Sequence, residues 1–88
     1  MTDNEIRDKV KNILIEWFEI EPEQIIPDAE LRKDFEFDSL DTVDFVVALE
    51  KEFKFKIKRP DDETAIRAMR TLSDVFVFIK EKLKQADN

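Results

Sequence analysis

The stretch Phe37-Asp38-Ser39-Leu40-Asp41-Thr42-Val43-Asp44-Phe45 decides how the rest of the chain is read. Asp38 is a good N-cap and Asp41 an acid suited to a first turn, so a helix begins at Asp38 or Ser39. It runs to about Phe53. Val43, Val46, Leu49 and Phe53 recur at helical spacing as its inner stripe, with Phe45 beside it. Leu40, Val43 and Val47 lie on a flank, next to Asp41, Asp44 and the pair Glu50-Lys51. Ser39 therefore stands at a helix tip among carboxylates. The chain has no histidine and no cysteine, so nothing local can activate that serine as a hydrolase would. A serine presented in this way reads as a target rather than a catalyst.

Upstream, the spacing of Ile6, Val10, Ile13, Leu14 and Trp17 predicts a first helix over about 4–18, with Asp3 as N-cap and Glu5 in its first turn. Between 19 and 37 the pattern breaks at Pro22 and Pro27. Ile25, Ile26, Leu31, Phe35 and Phe37 are scattered apolar anchors there, so this long loop is expected to be packed down. Downstream, Phe55-Lys56-Ile57 is too brief for a strand. Pro60-Asp61-Asp62 opens a short third helix over about 61–69, with Ile66 and Met69 inward. Thr71 caps a fourth helix over about 72–84, and Asp74 three residues on completes a capping box with Asp in place of Glu or Gln. Leu72, Val75, Phe76, Ile79 and Leu83 form its core stripe, and Lys80, Lys82 and Lys84 suit the negative end of its dipole. The expected fold is all-α: a small four-helix bundle with a short third helix and a long loop between helices 1 and 2. One domain is expected over 1–88, with its core over about 4–84.

Composition narrows the function classes. Acids outnumber bases by 22 to 15, and the net charge of −7 argues against a nucleic-acid binder, which needs a basic stripe. It suits a soluble protein that meets basic patches on partners, and a monomer is expected. Eight Phe and one Trp make the chain too apolar for a disordered acidic tail. Apolar runs of only a few residues give no membrane span, and the charged N-terminus lacks the apolar core of a signal peptide. The absence of cysteine agrees with a reducing cytoplasm, the expected location, and excludes Cys/His metal clusters. With no glycine, phosphate-cradling loops are absent, and helices must end without the usual Gly at C′. No metal site is expected, and catalysis by the paired carboxylates is disfavoured without a histidine.

Ordered along the chain, these motifs resemble the acyl carrier protein family. Asp38-Ser39-Leu40-Asp41-Thr42-Val43-Asp44 followed by Ala48-Leu49-Glu50-Lys51-Glu52-Phe53 is similar to its serine motif and second helix. Pro27-Asp28-Ala29-Glu30-Leu31 with Asp34-Phe35 resembles the loop before that serine, and Thr71-Leu72-Ser73-Asp74 with Phe78-Ile79 resembles the last helix. A lone Asp-Ser-Leu is a weak signal, but this ordered series covers nearly the whole chain. The resemblance implies that Ser39 carries 4′-phosphopantetheine, delivered from coenzyme A by a phosphopantetheinyl transferase, and that Asp38 is the adjoining motif acid linked to that enzyme and its metal ion. It implies acyl thioesters on the arm, for fatty acid, polyketide or related lipid synthesis, with a specialised carrier a live alternative to the housekeeping one. Leu40, Asp41, Val43, Asp44, Val47 and Glu50 match the surface that docks on a ketosynthase, reductase, dehydratase or acyltransferase with basic patches.

The departures are as specific as the matches. Glu36 stands where the family often has glycine, and must avoid a positive φ or bear its cost. Lys51 stands where the family commonly has an acid, and Lys54, Lys56, Lys58 and Arg59 make the next segment basic. The segment 58–70 is longer than usual, so the third helix is expected to be displaced or extended. Phe35, Phe37, Phe45, Phe76 and Phe78 give an interior that is unusually aromatic. Residue by residue, plainer readings exist: Ser39 as a capping hydroxyl, Asp41, Asp44 and Glu50 as a solvated face, the phenylalanines as core. The two rivals are a peptidyl or aminoacyl carrier, which usually has glycines before the serine, and an acidic helical adaptor that is never modified.

Overall fold

Three of the four helices begin at a side chain that satisfies the open N–H groups of a first turn. The computed structural model describes residues 2–58 and 61–86, with the side chains of 61, 85 and 86 left aside; the expected roles of Arg59 and Pro60 lie outside the described residues. Helix α1 spans Asp3–Phe18, α2 Ser39–Phe53, α3 Asp61–Ala68 and α4 Leu72–Ala86. This is the all-α arrangement the spacing predicts. The third helix is short, at eight residues, rather than extended.

Helix α1 starts one residue earlier than expected, because Thr2 and not Asp3 is its N-cap. The Glu5 N–H donates to Thr2 Oγ1 at 3.2 Å, and the Glu5 carboxylate accepts from the Thr2 N–H at 3.3 Å. This reciprocal pairing satisfies two open donors at once. The helix ends at Glu19 in the left-handed conformation, φ 55°, and α2 ends likewise at Lys54, φ 59°. Glycine would take both positions without steric cost, but the chain has none.

Helix α1 packs on α2 and on α4. Val10, Leu14, Leu49, Val75 and Ile79 are fully enclosed at the centre. Each such side chain contributes about 2 kcal/mol relative to exposure. The radius of gyration, 12.1 Å, is that of a close-packed chain of this length. Phe18, Phe37 and Phe45 form a ring cluster with centroids 4.9–5.9 Å apart, and Phe35 joins it through Phe37 at 5.7 Å. Phe55 in the link after α2 is also buried and stacks on Phe53.

Burial at several positions refines the expected pattern. Trp17 is 73% exposed rather than core. The i, i+4 row through Val10 and Leu14 leads to Phe18, whose ring joins the aromatic cluster, and Trp17 lies off that row. Val43, which lies on both the inner stripe and the flank by its spacing, is exposed, whereas Phe45, beside that stripe, is fully buried as part of the aromatic interior. Ile26 is exposed, although Ala29, Leu31, Phe35 and Phe37 do pack the long loop down. Phe76 is half-buried, its ring lying under the Arg7 guanidinium at 5.8 Å.

The long loop also has backbone order. A 3₁₀ turn spans Pro22–Gln24, and Glu30 pairs with Thr71 in an isolated antiparallel bridge. The Leu31 N–H donates to the Arg70 carbonyl at 2.9 Å, and the Leu72 N–H to the Ala29 carbonyl at 3.0 Å. This ties the loop before α2 to the start of α4. The expected capping box at α4 is present: the Asp74 carboxylate accepts from the Arg70 and Thr71 N–H groups at 2.9 and 3.1 Å. Lys82 is not dipole decoration but buried, and its Nζ lies 2.7 Å from the Asp62 carboxylate.

Candidate functional site

Ser39 is the first residue of α2, and its position follows from the residue before it. Asp38 Oδ1 accepts from the Asp41 N–H at 2.8 Å, while Asp41 Oδ2 accepts from the Asp38 N–H at 3.2 Å. The Thr42 hydroxyl donates to the Asp38 carbonyl at 3.0 Å. Asp38 and Asp41 thus close the helix N-terminus around Ser39. Behind it, Phe37 is buried in the ring cluster and its N–H donates to the Leu31 carbonyl at 2.9 Å, so the approach to the helix is anchored.

The Ser39 side chain is exposed, and among the described residues its hydroxyl has no hydrogen-bond partner. The only other serine, Ser73, donates its hydroxyl to the Pro27 carbonyl at 3.1 Å. The two serines therefore differ: the Ser73 hydroxyl is tied to the fold, and that of Ser39 is exposed and unengaged among the described residues. The open N–H groups and positive dipole end of α2 favour negative charge at this position.

Glu36 has φ 58°, so the position where glycine was missing does require the left-handed region. A side chain there costs about 1 kcal/mol relative to glycine. Glu36→Gly is therefore expected to raise the melting temperature by about 5 °C. Thermal denaturation by circular dichroism tests this; an unchanged or lowered midpoint would show that the carboxylate makes up the cost.

From Ser39 a groove of about 1020 Å³ runs between α2 and α3. Val43, Val46 and Val47 give one wall, Ile66 and Met69 the other, and Arg32 and Lys33 stand at its edge. Thus α3, short as it is, has a defined task as a wall. It is held at its start by Asp62, whose Oδ2 accepts from the Lys58 N–H at 2.6 Å and from Lys82. Burial alone would raise the Asp62 carboxyl, but the Lys82 and Lys58 hydrogen bonds outweigh it and hold the group below its ordinary range.

The surface residues singled out by sequence fall into three groups. Leu40, Val43 and Val47 form an exposed apolar ridge along α2, 74%, 44% and 39% exposed. Asp44 is exposed beside the ridge and has no ion-pair partner among the described residues. Asp41 and Glu50 are half-buried and engaged in the fold: Asp41 in the cap, Glu50 by accepting from the Ile57 N–H at 2.9 Å. The spacing gave no sign of that Glu50 bond, since Ile57 lies beyond the helix end. Sequence reading also missed the Asp62–Lys82 pair and the exposure of Trp17.

Comparison with known proteins agrees with this geometry. The family described as "Phosphopantetheine attachment site" matches residues 8–61. An acyl carrier protein of Thermosynechococcus vestitus is 39% identical over 83 residues, 94% of this chain and 98% of the relative. Those of Bradyrhizobium sp. (strain ORS 278) and Akkermansia muciniphila are 38% and 33% identical over 81 residues, 92% of this chain and 98% and 96% of the relatives.

Proposed function

The chain belongs to the acyl carrier protein family, and we propose on that premise that Ser39 is the residue to which its phosphopantetheine arm is joined. It is a carrier rather than a catalyst. One observation supports the choice of residue above the others: the free, exposed hydroxyl at the first residue of α2, at one end of the α2–α3 groove. The residues there fit the group, since α2's N-terminus offsets a phosphodiester and the valine wall suits an apolar chain. When bound, the arm supplies a terminal thiol that holds acyl groups as thioesters.

In this reading the Ser39 oxygen forms the new phosphoester bond while the pyrophosphate bond of coenzyme A breaks and the nucleotide leaves. The hydroxyl proton goes to a base on the transferase, because this chain offers no histidine. Asp38 holds the helix tip, and so Ser39, in place for that enzyme. The single domain works as a cytoplasmic monomer in fatty acid, polyketide or related lipid synthesis. The ridge of Leu40, Val43 and Val47 meets the partner's apolar centre, with Asp41, Asp44 and Glu50 as the acids toward its Arg and Lys groups.

The test uses a property of the composition. The chain has no cysteine, so any thiol it gains comes from the arm. Incubation with coenzyme A, Mg²⁺ and a broad-specificity phosphopantetheinyl transferase, followed by removal of coenzyme A, is expected to leave one titratable thiol per chain. No thiol would favour the unmodified adaptor. For the docking face, Asp44→Lys is the clean substitution because Asp44 has no ion-pair partner among the described residues. It is expected to raise the transferase KM about fivefold, with a weaker salt dependence and an unchanged melting temperature. Unchanged kinetics would remove Asp44 from that surface.

A further inference from the structure

The largest apolar side chain outside the core is Trp17, and it borders a second cleft on the other side of α2. This cleft, about 430 Å³, lies between α1 and α2. Ile13, Trp17 and Phe18 line it from α1, and Asp44, Val47 and Lys51 from α2. Val47 borders both this cleft and the groove that begins at Ser39. Val47 therefore joins the exposed ridge of α2 to the cleft that Trp17 borders at the last turn of α1.

We propose that this cleft is part of the docking surface, and that Trp17 anchors the enzyme that acts on Ser39. The inference rests on the carrier reading. A helix rise of about 1.5 Å per residue puts Val47 roughly 12 Å along α2 from Ser39. An enzyme face of standard size, about 800 Å² per partner, reaches both. Exposed tryptophan beside a cleft is the kind of residue that dominates such contacts.

Charge selects the occupant. Asp44 and Glu52 line the cleft, Glu16 precedes Trp17 on α1, and Lys51 is the one cation among the lining residues. Glu52 is already engaged by Lys9 at 3.3 Å, while Asp44 has no partner among the described residues. With a net charge of −7, a second copy of this chain is repelled. The surface fits an enzyme face that projects an aliphatic or methionine side chain ringed by Arg and Lys. That side chain inserts between Trp17 and Val47, and the cations meet Asp44 and Glu16.

The probe is the phosphopantetheinyl transferase itself, titrated against the full chain carrying Ser39→Ala so that no turnover intervenes. Because Trp17 is the only tryptophan, chain labelled with 5-fluorotryptophan gives a single ¹⁹F resonance. That resonance is expected to shift or broaden on binding, and Trp17→Gln to weaken binding about tenfold with an unchanged melting temperature. An unmoved resonance with Trp17→Gln binding within twofold, while Asp44→Lys still weakens binding, would confine docking to α2 and overturn the proposal alone. Insensitivity to both substitutions would overturn the α2 surface with it. Concentration-dependent dimers in sedimentation that Trp17→Gln abolishes would assign the cleft to a second copy instead.

Discussion

Asp62→Ala is expected to destabilise the domain by about 3 kcal/mol, a larger loss than any other single surface-proximal substitution should produce. Lys82 is 4% exposed, and its Nζ sits 2.7 Å from the Asp62 carboxylate. Removing that carboxylate takes from a buried ammonium the oxygen 2.7 Å away and also strips the Lys58 N–H of its acceptor. Lys82→Met is expected to cost less, because Asp62 is 16% exposed and keeps the Lys58 N–H. Combining the two should recover part of the Asp62→Ala loss, since an apolar side chain then fills the site. Thermal and urea unfolding measure all three. A midpoint shift below about 2 °C for Asp62→Ala would mean that the pair does not hold α3.

The same pair sets a direction with pH. The Asp62 carboxyl is held below its ordinary range, and Asp74 is held low first by the Arg70 N–H and then by that of Thr71. A carboxyl depressed in the folded state adds stability above its unfolded value, about 3.9, and loses it as pH falls through the folded value. Stability is therefore expected to decline on acidification below about pH 4, less steeply in Asp62→Ala/Lys82→Met than in wild type.

Ser39→Ala is expected to abolish arm attachment completely while leaving the melting temperature within about 1 °C of wild type. The hydroxyl it removes is exposed and without a partner among the described residues, and alanine is well suited to a helix. Function and stability separate cleanly at this residue. They do not at Asp38, whose carboxylate caps α2, so Asp38→Ala mixes a loss of about 1 kcal/mol with any effect on modification.

Much of this was legible in the sequence, because helix periodicity and capping chemistry are local. Asp38 as N-cap, the Thr71–Asp74 box and the cores of α1, α2 and α4 depend on residues three or four apart. What escaped depends on tertiary contacts. Trp17 and Phe18 are adjacent aromatics at a helix end, and only the cluster of Phe37 and Phe45 decides which one turns inward. Lys82 looked like a dipole-compensating lysine until α3 brought Asp62 against it. The positive φ of Glu36, which lies between the buried Phe35 and Phe37, could be posed as a question but not answered from spacing. At the site, Ser39 and Asp38 could be named from their motif. The groove and the cleft could not, because each lies between elements whose relative placement no spacing encodes.

The measurement that bears most directly on the central claim is mass spectrometry of wild type and Ser39→Ala after the same transferase reaction, first intact and then as peptides. The carrier account predicts a gain of one phosphopantetheinyl group in wild type alone, located by fragmentation on Ser39. No gain in either protein, or a gain that persists in Ser39→Ala and maps to Ser73, would contradict it.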